Sequence, residues 1–294
     1  MTTRRTFLAA TGMASLVTLP AFARGTARAH DQATFTRQVT ALETGVGGRL
    51  GVAVIDAQDG AMLGYRAEER FPMCSTFKFL AAAVLRRVDM GQERLDRRIV
   101  FGRDALITWS PVTEKHVGGQ GMTVGQLCEA IMTISDNTAA NLLLDSLGGP
   151  AAITSFVRGS GDAFTRLDRN EPTLNEALDG DPRDTTTPAA MAGSLQRIVA
   201  GDVLKPASRA QMIAWLRANK TGDKRVRASL PPGWHAGDRT GAGAFGTANT
   251  IGAIWRPQGK PLLFAIYLTQ NKASNEQRDA VHAALGKLIA QTFA

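Results

Sequence analysis

Ser75-Thr76-Phe77-Lys78-Phe79-Leu80-Ala81-Ala82-Ala83-Val84-Leu85 is where the chain changes its periodicity. Upstream, a helical pattern over 34–42 precedes two short strand patterns over 49–56 and 61–65, separated by the turn Gln58-Asp59-Gly60. Downstream, helical spacing takes over at 77–88, 124–134, 138–147, 151–158 and 188–199, with glycines and prolines as punctuation. After a further helix over 207–218, strands return at 234–240, 248–255 and 262–269, and an amphipathic helix over 275–292 follows them. Two ends of the same kind enclosing a helical insert predict an α+β, three-layer αβα fold. Its antiparallel sheet is flanked by helices, with an α/β lobe of about 30–66 and 217–294 and an inserted all-helical lobe of about 67–216. A groove between two such lobes is a favoured place for a site.

With 294 residues and 44% hydrophobic content, the chain can bury a large core, and no internal repeat stands out. Residues 1–29 read as an export signal: Arg4-Arg5 precede an apolar run over 7–19, and small residues follow at Ala21-Phe22-Ala23 and Ala27-Arg28-Ala29. The paired arginines before Phe7-Leu8 suit twin-arginine export, and the apolar run is short for a membrane span. The mature protein is then expected to start near His30, in the periplasm or outside a bacterial cell, with no stable membrane anchor and as a monomer. The formal charge of +8 includes Arg4, Arg5, Arg24 and Arg28 with no acidic residue before Asp31, so cleavage leaves +4. No basic block with interleaved aromatics remains, which argues against a nucleic-acid partner. The four histidines, His30, His116, His235 and His282, lack metal-ligand spacing, and neither a metal nor another cofactor is expected. Cys74 and Cys128 could form one disulfide, but both lie in apolar helical surroundings and read as free, buried thiols.

Three short motifs carry chemistry. In Ser75-Thr76-Phe77-Lys78 the spacing sets an amine one turn from a hydroxyl, and a helix N-terminus adds N–H groups suited to developing negative charge. Ser135-Asp136-Asn137 falls between two helical patterns, where it can aim a hydroxyl and an amide outward or simply cap the next helix. Arg239-Thr240-Gly241, followed by Ala242, ends a strand and sets a cation, a hydroxyl and bare backbone along one cleft edge. Each alone is common; the three in this order match Ser-x-x-Lys, Ser-Asp-Asn and Lys-Thr-Gly of class A β-lactamases and penicillin-binding proteins.

From about Thr34 onward the chain resembles a class A serine β-lactamase. Trp109-Ser110-Pro111-Val112-Thr113-Glu114-Lys115-His116, Arg166-Leu167-Asp168-Arg169-Asn170-Glu171-Pro172-Thr173-Leu174-Asn175 and Asp184-Thr185-Thr186 carry the likeness beyond the three motifs. The resemblance implies a β-lactamase/transpeptidase-like fold and hydrolysis of penicillins and some cephalosporins, and hence antibiotic resistance. Ser75 would be the nucleophile, the N–H groups of Ser75 and Ala242 the oxyanion donors, and Ser135 the proton donor to the leaving nitrogen. Glu171, sharing a water with Asn175, would deacylate, and either Lys78 or Glu171 would take the first proton. Trp109, Asn137, Arg239, Thr240, Gly241 and Arg225 would contact substrate. The segment around Glu171 would form an omega-shaped loop with a cis Glu171–Pro172 bond and an Arg169–Asp184 pair at its neck.

This sequence departs from the family pattern at four places. Arg239 replaces the usual lysine, as in a minority subgroup that includes carbenicillin-hydrolysing penicillinases, and its planar fork recognises a carboxylate differently. Ala248 stands where a second cation often projects, leaving Arg225 at the alternative position. Cys74 precedes the nucleophile as in carbapenem-hydrolysing members, yet their partner cysteine falls at Gly243; the partner for Cys128 falls at Ala82. Carbapenem hydrolysis therefore has no support. The competing readings are a peptidoglycan transpeptidase or carboxypeptidase, opposed by Glu171 with Asn175, and a non-hydrolytic β-lactam sensor, opposed by the lack of a signalling span after the leader.

Overall fold

The computed structural model describes the backbone of residues 22–294 and the side chains of 31–294. The arginine pair and apolar run of the expected signal fall in residues 1–21, outside the described residues. Helix α1, Phe22–Val46, extends the 34–42 pattern in both directions, and Phe35 and Val39, one turn apart, are buried on its inner face. Strands β1 (Arg49–Asp56) and β2 (Met62–Tyr65) form the expected hairpin. After β3 (Phe71–Pro72) come a 3₁₀ segment, Cys74–Leu80, and α2, Ala81–Asp89. Then follow β4 (Arg98–Ile99), β5 (Met122–Thr123), α3 (Val124–Thr133), α4 (Asn137–Leu147) and α5 (Pro150–Gly159). Strand β6 (Thr185–Thr186) leads to α6 (Pro188–Leu195) and α7 (Pro206–Ala218). Strands β7 (His235–Gly243), β8 (Thr247–Trp255) and β9 (Leu262–Thr269) precede α8 (Asn275–Thr292).

Local chemistry explains the boundaries. Thr123 with Gln126, and Ser274 with Gln277, form reciprocal capping boxes at α3 and α8. Proline stands in the first turn of α5, α6 and α7, where its missing N–H is no loss, and Gly148 ends α4 in the left-handed region at φ 103°.

One antiparallel sheet in the order β2-β1-β9-β8-β7 forms the middle layer. Strand β9 shows why its sequence is an unbroken apolar run. Leu262, Phe264, Ile266 and Leu268 join Phe35 and Val39 of α1 and Leu285 and Ile289 of α8, while Leu263, Ala265 and Tyr267 face the helical block. With both faces covered, nothing on the strand needs to be polar. On β1 two of the corresponding inner positions, Gly51 and Ala53, are small: a Cβ on Gly51 would sit 2.3 Å from the Phe71 ring and 2.9 Å from Pro188. The α+β fold with one helical layer on each face of the sheet is as expected.

The element that carries Ser75 differs from expectation. Helical spacing at Phe77 reads as an α-helix, but Cys74–Leu80 winds as 3₁₀ before α2 begins. At three residues per turn, positions 75 and 78 eclipse one another, which sets the Lys78 side chain directly against Ser75. The two-residue pairs β3–β6 and β4–β5 were also absent from the sequence reading, because two residues carry no period.

Candidate active site

Lys78 is fully buried and is the centre of the site. Its Nζ donates to Ser75 Oγ at 3.0 Å, Ser135 O at 3.0 Å, Ser135 Oγ at 3.1 Å and Asn137 Oδ1, and lies 2.9 Å from Glu171 Oε1. That is more oxygen than an ammonium's three N–H bonds can serve at once. Burial lowers its pKa to about 8; Glu171 opposes the shift and Arg239 adds to it. The Ser75 hydroxyl in turn donates to Glu171 Oε1 at 3.2 Å. Ser75 therefore makes no helix cap, and its hydroxyl lies between the Lys78 amine and the Glu171 carboxylate.

Both readings of the second motif hold, for different residues. Asp136 caps α4 through Ala139 N at 2.8 Å and also accepts from Val112 N at 3.0 Å and Thr113 N at 2.9 Å, tying down the segment that carries Trp109. This anchoring frees its neighbours: Ser135, at φ 69°, turns toward Lys78, as does Asn137, whose Nδ2 donates to Thr108 O at 2.9 Å. Trp109 is 59% exposed on the rim, its indole N–H donating to Ile134 O at 3.1 Å.

Glu171 is buried, its peptide bond to Pro172 is cis, and Asn175 Nδ2 donates to its Oε2 at 2.5 Å. The neck of this loop is closed as the resemblance implies, with Arg169 Nε on Asp184 Oδ2 at 2.5 Å. Asn141, on α4, was missed. Its Oδ1 accepts Glu171 N–H at 3.0 Å and its Nδ2 donates to Glu171 O at 3.0 Å, so it holds the backbone of the buried glutamate from both sides. The signal was there, since Asn141 lies four residues after Asn137 on the same helical face.

On the opposite wall, Gly241 lets the edge strand β7 press against the 3₁₀ segment: a Cβ there would lie 2.8 Å from Met73 O and 3.1 Å from Ser75 N. Ala242 is exposed at the strand's end. Thr240 lines the cleft and its hydroxyl meets that of Thr221, another residue missed. Arg225 also reaches the cleft, held by Asp279 Oδ1 at 2.7 Å and Asn249 O at 2.7 Å, so it is not a plain surface arginine. Arg239 corrects one expectation. Its side chain does not stand along the cleft edge but is wholly buried, on the same strand face as Gly241, which directs it inward. The cleft itself is about 340 Å³, lined by Ser75, Trp109, Ser135, Asn175, Arg225 and Thr240 among others. Cys74 and Cys128 are both free and buried.

Among the described residues there is no group of His, Cys, Asp and Glu fit to hold a metal. The chain's comparisons agree with one another. The model of the β-lactamase enzyme family matches residues 34–293. β-Lactamase OXY-2 of Klebsiella oxytoca is 46% identical over 256 residues, covering 87% of this chain and 88% of that protein. β-Lactamase Toho-1 of Escherichia coli is 46% identical over 258 residues, with the same coverage of 87% and 88%. The solved structure of an ancestral (GNCA) class A β-lactamase superposes with a TM-score of 0.86 at 60% identity, covering 88% of this chain and 100% of that one. The chain belongs to the β-lactamase enzyme family. Within it the protein is a class A serine β-lactamase, a hydrolase of β-lactam antibiotics that confers resistance to them.

Proposed function

We propose that this enzyme opens penicillins, and some cephalosporins, through an acyl-enzyme on Ser75 that Glu171 hydrolyses. One observation carries the reading: Ser75 Oγ lies 3.0 Å from Lys78 Nζ and 3.2 Å from Glu171 Oε1, both within proton-transfer reach. Ser75 Oγ attacks the lactam carbonyl carbon and gives its proton to Lys78 or Glu171. The N–H groups of Ser75 and Ala242 take the oxyanion, and Ser135, bonded to Lys78, returns a proton to the departing nitrogen. Glu171 then deprotonates a water shared with Asn175, which attacks the ester and frees Ser75. Asn137 and Trp109 contact the acyl side chain, while Arg225, Thr240 and Gly241 form the substrate's carboxylate side, to which Arg239, buried behind them, adds its positive charge.

Glu171→Ala is expected to accumulate acylated protein with benzylpenicillin, visible by mass spectrometry, while Ser75→Ala gives none. Equal adduct on both variants would refute the assignment. In a panel of benzylpenicillin, carbenicillin, cefotaxime and imipenem, the penicillins should turn over fastest. The enzyme works as a monomer in the periplasm after loss of the leader. No described helix is long and apolar enough to cross a membrane.

A further inference from the structure

Behind the cleft wall lies a polar cluster that the mechanism above does not use. Asp238, with no exposed surface, takes both Nε and Nη2 of Arg227, at 3.0 and 2.9 Å. Asn219, equally buried at the end of α7, donates from Nδ2 to Asp238 Oδ1 at 2.5 Å. The Oδ1 of the same amide accepts from Thr221 N at 3.1 Å, Thr221 Oγ1 at 2.9 Å and Arg239 Nη1 at 3.4 Å. Thr221 Oγ1 also accepts from Arg239 Nη1 at 3.2 Å and meets Thr240 Oγ1 at the cleft. The backbone is shaped around this cluster, because a Cβ on Gly222 would fall 2.3 Å from Asp238 Oδ1.

The charge pattern is unusual. Arg239 is fully buried and its Nε and Nη2 have no hydrogen-bond partner among the described residues. Burial pulls its pKa down to about 10, with Asp238 and Glu171 opposing the shift and Arg225 adding to it. The carboxylate next to it in sequence, Asp238, is committed to Arg227 and is linked by hydrogen bonds to Arg239 through the Asn219 amide rather than directly. A neutral amide can hold the guanidinium in place without quenching its charge, whereas a carboxylate in the same position would pair with it directly.

We propose that Asn219 is a positioning and specificity-determining residue: a neutral spacer that fixes Arg239 and Thr221 while keeping the Arg239 charge free for the carboxylate of the substrate. This rests on the reading of Arg239 as part of the carboxylate side, and it explains how a buried arginine can replace a lysine here. Asn219 does not touch substrate. Its influence passes through Arg239 and through the Thr221–Thr240 hydroxyl pair.

The test compares benzylpenicillin with its methyl ester, whose carboxylate charge is gone. The ratio of kcat/KM for acid over ester does not depend on how much of a variant is folded, so partial misfolding leaves it readable. Wild type should favour the acid. In Asn219→Asp, a near-isosteric change that places a carboxylate against Arg239, the ratio should fall about tenfold or more, the loss appearing in KM for the acid, because an opposite charge beside the guanidinium cancels the attraction that the acid alone senses. Asn219→Ala should lose part of the ratio, since Arg239 is then unanchored but still charged. A wild-type ratio in Asn219→Asp would overturn the proposal, as would an equal loss for acid and ester. If wild type itself fails to distinguish acid from ester, the Arg239 reading falls first and takes the proposal with it.

Discussion

The Lys78 amine carries a consequence for stability as well as for chemistry. Its ammonium is held down from 10.5 to about 8, chiefly by burial. Below pH 8 both folded and unfolded chains hold the proton and the burial penalty is fully present. Between pH 8 and 10.5 the unfolded chain binds the proton and the folded chain does not, so the contribution of Lys78 to stability rises with pH. The stability of wild type relative to Lys78→Met should accordingly climb across that window in denaturant titrations; a flat difference would mean the amine is not depressed. At this scale Ser75, Lys78, Ser135 and Glu171 were legible because their types and order are distinctive. Asn141, Asn219 and Thr221 were not, since an amide or hydroxyl acquires a role only from what faces it. Arg239 was read correctly as a cation and wrongly as an edge residue, because which way a strand residue points depends on the register of its sheet.

Among the elements, the loop between Arg169 and Asp184 is the one on which the proposed turnover depends. Asp184 Oδ2 takes Arg169 Nε, while its Oδ1 accepts Asp168 N at 2.7 Å and Arg169 N at 2.9 Å. The segment so closed carries both Glu171 and Asn175. Replacing Asp184 by alanine leaves Arg169 Nε and two backbone N–H groups without their acceptor, though Glu176 and Asp181 still neutralise the guanidinium, and is expected to destabilise the protein by about 1–3 kcal/mol. Deacylation should slow more than acylation, because Ser75 and Lys78 sit on a separate element. Thermal melts and the burst amplitude with benzylpenicillin check both parts; an unchanged burst would detach the loop neck from catalysis. The long helices and strands were visible as periods in the sequence, whereas the 3₁₀ segment at Cys74–Leu80 was not, since its apolar positions fit an α-helix equally well.

For the whole molecule, the sheet separates two apolar clusters, and β9 belongs to both. Gly51 marks how closely the helical layer approaches: Gly51→Val would drive new methyl groups into Phe71 and Pro188 and should cost about 1–3 kcal/mol or more, read from the denaturation midpoint. A midpoint matching wild type would show that the layers are looser than their spacing implies. The proposed export is a property of the entire chain too: N-terminal sequencing of protein recovered from the periplasm should begin near His30, and recovery of Met1 in membranes would contradict it. The amino-acid sequence alone determined the fold class, the order of the main elements and which groups are candidates to react, because these depend on periodicity and on side-chain chemistry in short motifs. Tertiary structure decided the rest: that Arg239 lies behind the cleft wall, that Asn141 grips Glu171, and that Asn219 stands between Asp238 and Arg239. Those relations join residues from different elements, and their energies exist only once burial has removed the water that would otherwise satisfy each group separately.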